Sequence, residues 1–386
     1  MSDIRPKRIL FTGYAPVHFL CYLPVYQRLS TDPRVELWLS GGWKRADGDT
    51  TSYSLDGFYD PFPVERARVI PIERARQEDF DVLVCAHLSD SLFPRSAGHT
   101  VQIFHGVSFK NLAVRDKALR FDTLCLPGRY HAELYRETGL VRRGGPRYLI
   151  TGFPKVDPLR AGAEAGARAR DRRALLTGLG LDPAVPTLLL APTGDKHNAL
   201  ETMGEELIEA IGADGRFNLL VKPHDHPKLG IDWFRELAPL EGARVRLVRD
   251  RDVVPYLAAA DLLLTDASSV AVEFTLLDRP IIFLDVPRLF QRVEKRAPNL
   301  DLTTYGRRIG AIVERPGDVV AAVTTALADP GREREIRQAM ARHVFWDPGH
   351  AADRVAGVVL NAAGICSDLP TGIETLIPAA DVETGT

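Results

Sequence analysis

Short apolar runs recur along the chain, each closed by small or polar residues, and this rhythm sets the expected architecture. In the first half Arg8–Phe11, Val35–Leu39, Val82–Cys85, Val101–Phe104, Thr123–Leu126 and Tyr148–Ile150 read as strands. The Gly13–Pro16 turn and a helix over Phe19–Leu29 follow the first of them. A second series opens at Thr187–Leu190 and continues through Asn218–Val221, Val245–Val248, Leu262–Leu264, Ile281–Leu284 and Ala311–Val313. Helix candidates between and after these strands are Glu201–Ile211, Trp233–Leu237, Val253–Ala260, Val319–Ala328 and Glu333–Phe345. Strand, turn and helix alternate in both halves, which argues for parallel sheets with crossover helices. The predicted fold class is α/β, with two doubly wound Rossmann-like domains facing a central cleft.

The breaks in the pattern give the expected boundaries. Residues 1–160 form the N-terminal domain, and 161–180, rich in Ala, Arg and Gly, form a charged helical segment between domains. Residues 181–350 form the C-terminal domain, and 351–386 a terminal helix (Ala351–Ala363) against either domain, followed by a loosely ordered tail. Residues 44–63 keep no period and read as a long surface loop, and 285–308 as an irregular segment walling the cleft.

Composition narrows the class. With 386 residues, 45% hydrophobic and 26% charged, and a net charge of −2, the chain reads as a soluble globular protein of two domains. Neither sign of charge dominates, which disfavours a dedicated nucleic-acid binder. Cys21, Cys85, Cys125 and Cys366 are dispersed without a CxxC pair, and the first three sit in apolar surroundings as expected for buried thiols in a reducing compartment. No signal-length or membrane-spanning apolar stretch is present, so the expected location is cytoplasmic. Peripheral contact with the inner face of a membrane stays open. Arg142, Arg143 and Arg147, or the basic residues of 288–296, are its candidate patches, and ordinary solvated charge is the preferred reading of them.

Candidate chemistry collects at strand ends. His105 closes the Val101–Phe104 strand and is the strongest candidate base, since a near-neutral imidazole can take a hydroxyl proton; a histidine bonded inside a loop is the equal alternative. Lys222, His224 and His226 follow Asn218–Val221, held between Pro223 and Pro227, and could meet a diphosphate. HxH also suggests a metal, but no carboxylate or cysteine set completes the ligands, so no metal site is expected. Thr193, in APTGDKHN, follows Thr187–Leu190 and fits a phosphate-edge loop or a plain one. Thr265, Asp266, Ala267, Ser268 and Ser269 lie between a strand and a helix start, where hydroxyls and free N–H groups suit a phosphate or simply cap a turn. A GxGxxG fingerprint is missing near the N-terminus, which gives a dehydrogenase little support.

Taken together these motifs resemble the CDP-glycerol glycerophosphotransferase family, the teichoic-acid and capsule polyol-phosphate transferases of GT-B fold. The segments are FHG at 104–106 with Lys110 following, TGFPKVDPL at 151–159, LLAPT at 189–193 and KPHDHP at 222–227. DVVPYLAAADLLLTDASSVAVEFTLLDRPIIF at 252–283 and WDPGHAADRV at 346–355 complete the ordered set. The resemblance implies that His105 is the base and that residues 181–350 bind the nucleotide donor. It implies that His224 and the paired Ser268 and Ser269 contact the donor phosphates, that Asp266 organises their loop, and that Arg354 contacts the diphosphate or joins the domains. The chain departs from the family pattern in three places. It has His224-Asp225-His226-Pro227 in place of a contiguous His-Pro, which leaves His224 and His226 as alternatives; Ala267 stands where an aromatic is usual; and Pro348 separates Asp347 from Gly349.

The implied reaction moves glycerol phosphate or another polyol phosphate from CDP-glycerol or CDP-ribitol to a hydroxyl of a glycan or polyprenyl-linked acceptor, releasing CMP. No tightly bound cofactor is implied, and a divalent cation is an optional aid to the diphosphate. Two alternatives stand beside it: a GT-B glycosyltransferase using an NDP- or CMP-sugar, and a non-catalytic nucleotide-sugar binding protein. Donor polyol, acceptor, priming against polymerisation and oligomeric state are left unspecified by sequence.

Overall fold

The computed structural model describes residues 5–47, 50–160, 165–224, 230–370 and 374–376. The chain divides into two units. The first takes in Met1–Gly106, Ala113–Asp157 and His343–Thr386, the second Val107–Leu112 and Pro158–Arg342.

The first unit is built on a seven-stranded sheet in the order Glu374–Leu376, Arg147–Ile150, Thr123–Leu126, Ser96–Ile103, Asp79–Cys85, Lys7–Gly13, Val35–Gly41. Only the edge strand Glu374–Leu376 runs antiparallel, pairing with Tyr148–Ile150; the rest are parallel. The inner strands are polar where they begin and largely buried towards their carboxyl ends, where helices cover both faces, as parallel sheets require. Ile9, Leu10, Phe11, Val82, Leu83 and Val84 are fully buried. The helix Pro16–Leu29 lies on this sheet and packs against Ala351–Ala362. The terminal helix thus belongs to the first unit, together with the chain from His343 onward.

The second unit holds a six-stranded parallel sheet ordered Val245–Leu247, Asn218–Val221, Thr187–Leu190, Leu262–Thr265, Ile281–Leu284, Ala311–Val313. Leu188, Leu189, Leu262, Leu263 and Leu264 are fully buried, each stabilising the fold by about 1.5–3 kcal/mol relative to exposure. The helix Ala165–Gly178 packs on Val254–Ala259, so the segment expected between domains is part of this unit, and residues 161–164 lie outside those described.

Two segments expected to be irregular are ordered. Within 44–63, Trp43–Asp47 and Thr50–Ser54 pair as an antiparallel hairpin, while Phe58, Tyr59 and Phe62 turn inward. Aromatic burial organises a stretch whose polar composition hid it. Pro287–Glu294 is a helix: Pro287 occupies its first turn, where the missing N–H costs nothing, and Leu289, Phe290 and Val293 form one buried stripe. Cys21, Cys85 and Cys125 are buried as expected, and Cys366 is exposed. Among the described residues no helix is long and apolar enough to cross a membrane.

Candidate active site

In the second unit the strand order reverses between Thr187–Leu190 and Leu262–Thr265, the position where doubly wound sheets open a crevice at their carboxyl ends. Three neighbouring strands deliver the expected residues to this edge. Thr193 follows Thr187–Leu190, Lys222 and His224 follow Asn218–Val221, and Asp266, Ser268 and Ser269 follow Leu262–Thr265.

Asp266 holds the edge together. Fully buried, its carboxylate accepts the N–H of Thr193 at 2.7 Å and of Ala199 at 3.0 Å, tying the loop after one strand to the end of its neighbour. Burial pushes the Asp266 carboxyl up to about 6, against the pull of those donors and of Lys110. Both its oxygens are spent on backbone, which suits an organising part. Asn198 and Glu201 then close a capping box at the start of Ala199–Asp214.

Ser268 is buried and Ser269 half-buried at the start of Val270–Phe274. Their carbonyls accept from Ala271 and from Val272 and Glu273. The Ser269 side chain makes no capping bond, so a capped turn does not account for it. Lys222 is buried, its N–H bonded to the Leu190 carbonyl at 2.8 Å, while His224 is exposed. His226 lies outside the described residues. The Thr193 hydroxyl stands 3.3 Å from Lys110 Nζ, a partner that local sequence did not supply. Lys110 also faces Asp195 at 3.3 Å, and Arg296 approaches the same carboxylate at 3.4 Å.

His105 lies in the first unit, half-buried beyond Ser96–Ile103, and its carbonyl accepts the Cys21 thiol at 3.3 Å. Its imidazole meets that of His18, ring centres 5.0 Å apart at 72°. His18 stands one residue before the helix that the sequence predicts, and His87 just beyond the Val82–Cys85 strand. Nothing in the local sequence marks them as companions of His105.

Arg354 is also in the first unit, on Ala351–Ala362. Its guanidinium donates to the Thr151 carbonyl at 2.8 Å, the Asp347 carbonyl at 2.6 Å and the Asp347 carboxylate, and lies 4.6 Å over the Trp346 ring. The guanidinium thus ties Thr151 to Asp347 within the first unit; the resemblance gives Arg354 a contact with the diphosphate or a join between the domains. Among the described residues no group of three His, Cys, Asp or Glu side chains is arranged to hold a metal ion.

Residues 80–361 match the family described as CDP-Glycerol:Poly(glycerophosphate) glycerophosphotransferase. The chain is 29% identical over 167 residues, 42% of its length, to the teichoic acid glycerol-phosphate primase of Bacillus spizizenii; the match spans 40% of that relative. In fold it resembles a variant of the wall teichoic acid polymerase TagF, with TM-score 0.65 and 18% identity over 94% of this chain and 91% of that one. It also resembles S. aureus MnaA in its UDP co-structure, with TM-score 0.58 and 14% identity over 94% and 99%. The two parallel sheets, each flanked by helices, are those of a GT-B-like pair of Rossmann-like units.

Proposed function

The chain belongs to the CDP-glycerol:poly(glycerophosphate) glycerophosphotransferase family, and from that premise we propose that it transfers a polyol phosphate from a CDP-polyol to an acceptor hydroxyl. His105 takes the proton of the attacking hydroxyl. The oxygen bonds to the phosphorus next to the polyol, the bond from that phosphorus to the bridging oxygen breaks, and CMP departs with the electron pair.

The second unit supplies the donor side. Ser268 and Ser269 present hydroxyls after Leu262–Thr265, and Lys222 a cation and His224 an imidazole after Asn218–Val221, at one carboxyl edge of the sheet where a diphosphate gains charge-assisted hydrogen bonds. Asp266 and the capping box fix the loop geometry in advance, so little ordering is left for the moment of reaction. A divalent cation would arrive on the diphosphate of the donor. CDP-glycerol and CDP-ribitol are the donors in view, and the acceptor is a glycan or polyprenyl-linked hydroxyl at the inner face of the cell membrane.

The observation that carries this reading is that one family-matched span holds both His105 at a strand end of the first unit and the Ser268–Ser269 pair at the switch point of the second. The test is incubation with CDP-glycerol or CDP-ribitol and candidate acceptors, following CMP and product mass. Acceptor-dependent transfer from a sugar nucleotide, with none from either CDP-polyol, would replace this reading by that of a glycosyltransferase.

A further inference from the structure

The switch point of the first sheet falls between Lys7–Gly13 and Asp79–Cys85, and it gathers side chains that the transfer as described leaves unused. Thr12, Tyr14 and His18 arrive from one strand and the helix after it, and Cys85 and His87 from the other. His105 follows the next strand, Ser96–Ile103.

His18 is 2% exposed, and its Nδ1 accepts the Tyr14 N–H at 3.2 Å. An imidazole that accepts at Nδ1 and is neutral carries its proton on Nε2, so the backbone sets both tautomer and ring plane. His87 is fixed in the same way. Its Nδ1 accepts the Ser89 N–H at 3.2 Å, its Nε2 donates to the Thr12 hydroxyl at 3.1 Å, and Thr12 lies 3.2 Å from the Cys85 sulfur. The His18 ring stands 5.6 Å from His87 on one side and 5.0 Å from His105 on the other. A Cβ at Gly13 would sit 2.9 Å from that of His18, so the helix seats this close only because position 13 has no side chain. Cys21, three residues further along the same helix, holds the carbonyl of His105. Pro16–Leu29 therefore meets His105 at both ring and backbone.

Resting on the reading of His105 as base, we propose that His18 is its positioning residue, the neutral ring setting the plane in which the His105 imidazole receives the acceptor proton. The surroundings also bear on charge. His18, Tyr14 and Cys21 face this cluster from the helix and the turn before it, and Cys85 and His87 from the neighbouring strand. Lys44 lies 5.6 Å over the Tyr14 ring, with Arg115 and Tyr53 acting on Tyr14. The cations among these described groups are Lys44 and Arg115. Burial pushes His87 down to about 3, and His105 adds to that shift.

The test is His18→Asn, whose side-chain oxygen can still accept the Tyr14 N–H while the ring against His105 is removed. NMR titration of the His105 ring, assigned by its loss in His105→Ala, needs no substrate. CMP release from CDP-glycerol with a polyprenyl-linked glycan gives the kinetics. Expected is a His105 titration in His18→Asn that departs from that of the wild type. The acid limb of kcat/KM should move with it, while kcat falls about tenfold or more and donor KM stays within about twofold. A folded His18→Asn with titration and acid limb unmoved overturns the proposal, whatever happens to the rate. If that variant fails to fold, nitrogen chemical shifts of the wild-type His18 ring decide: a charged ring, or one with its proton on Nδ1, overturns it instead. Full turnover in His105→Ala would remove the base assignment itself, whereas lost turnover there with an unmoved titration in His18→Asn sinks the positioning alone.

Discussion

Lys110 Nζ lies 3.3 Å from Asp195 Oδ2, with both side chains about nine-tenths buried, although 85 positions separate them in the chain. Lys110 sits in Val107–Leu112, the short stretch of the N-terminal half that belongs to the second unit. Replacing one member of a buried pair strands the other charge, and Arg296, half-exposed, offsets little of that. Lys110→Met should cost roughly 3 kcal/mol in urea unfolding. Adding Asp195→Asn should recover part of the loss, and a purely additive double variant would show that the pair is not coupled.

Ser268→Ala and Ser269→Ala should each lower kcat/KM for the CDP-polyol by about 10- to 100-fold, the weight of one hydrogen bond to a charged phosphate. Melting temperature should barely change, because the Ser269 hydroxyl caps nothing and the bonds into this turn run to carbonyls. Steady-state kinetics beside a thermal melt separates the two. A large loss of stability with unchanged donor kinetics would return the pair to a structural turn.

Asp266 makes the fold pH-sensitive in a definite direction. Its folded pKa of about 6 stands above the ordinary 3.8, so the folded state holds the proton more tightly than the unfolded chain. The contribution of this carboxyl to stability is fully present below about pH 4 and is lost as pH rises through about 6, by at most about 3 kcal/mol. Urea unfolding of wild type and Asp266→Asn from pH 4 to 7 should show the wild-type advantage shrinking as pH rises. A growing advantage would mean that the two backbone donors outweigh burial.

Arg354→Lys keeps the charge and loses the planar fork that spans Thr151, Asp347 and the Trp346 ring. Stability should fall by about 2 kcal/mol, with donor KM changed less than about threefold. A rise in donor KM without loss of stability would assign this residue to the diphosphate.

Asp157 acts as a cap from a distance, its carboxylate accepting the N–H groups of Gly349, Ala351 and Ala352 at 2.9, 3.2 and 2.7 Å. His350, the residue before the helix, makes no side-chain cap. Asp157→Ala should cost about 1–2 kcal/mol, and slower amide exchange in the first turn of Ala351–Ala362 than in wild type would contradict it.

Thr187–Leu190, Asn218–Val221 and Ile281–Leu284 appear with the bounds that the sequence predicts because each is a short, largely apolar run buried on both faces; Ala311–Val313, at the sheet edge with Ile312 exposed, is legible from its apolar run alone. Pro287–Glu294 was hidden by its charges, since Arg288, Arg292 and Glu294 mask a three-residue buried stripe. The donor-side residues could be gathered because they follow strand ends, and strand ends share one edge of a parallel sheet. Partners set by tertiary contact left no local trace. Asp195 for Lys110 and His18 for His105 depend on which strands and helices become neighbours, and no spacing in the chain encodes that.

The first unit is discontinuous: the helix Ala351–Ala362, which covers Pro16–Leu29 and carries Asp353 against Arg28, comes from the far end of the chain. During synthesis, His18 and its helix leave the ribosome more than three hundred residues before their cover does, while Pro158–Arg342 emerges in one piece. A nascent chain cut short before His343 would lack that cover altogether. A segment translated more than three hundred residues later thus covers the helix beside the histidine cluster.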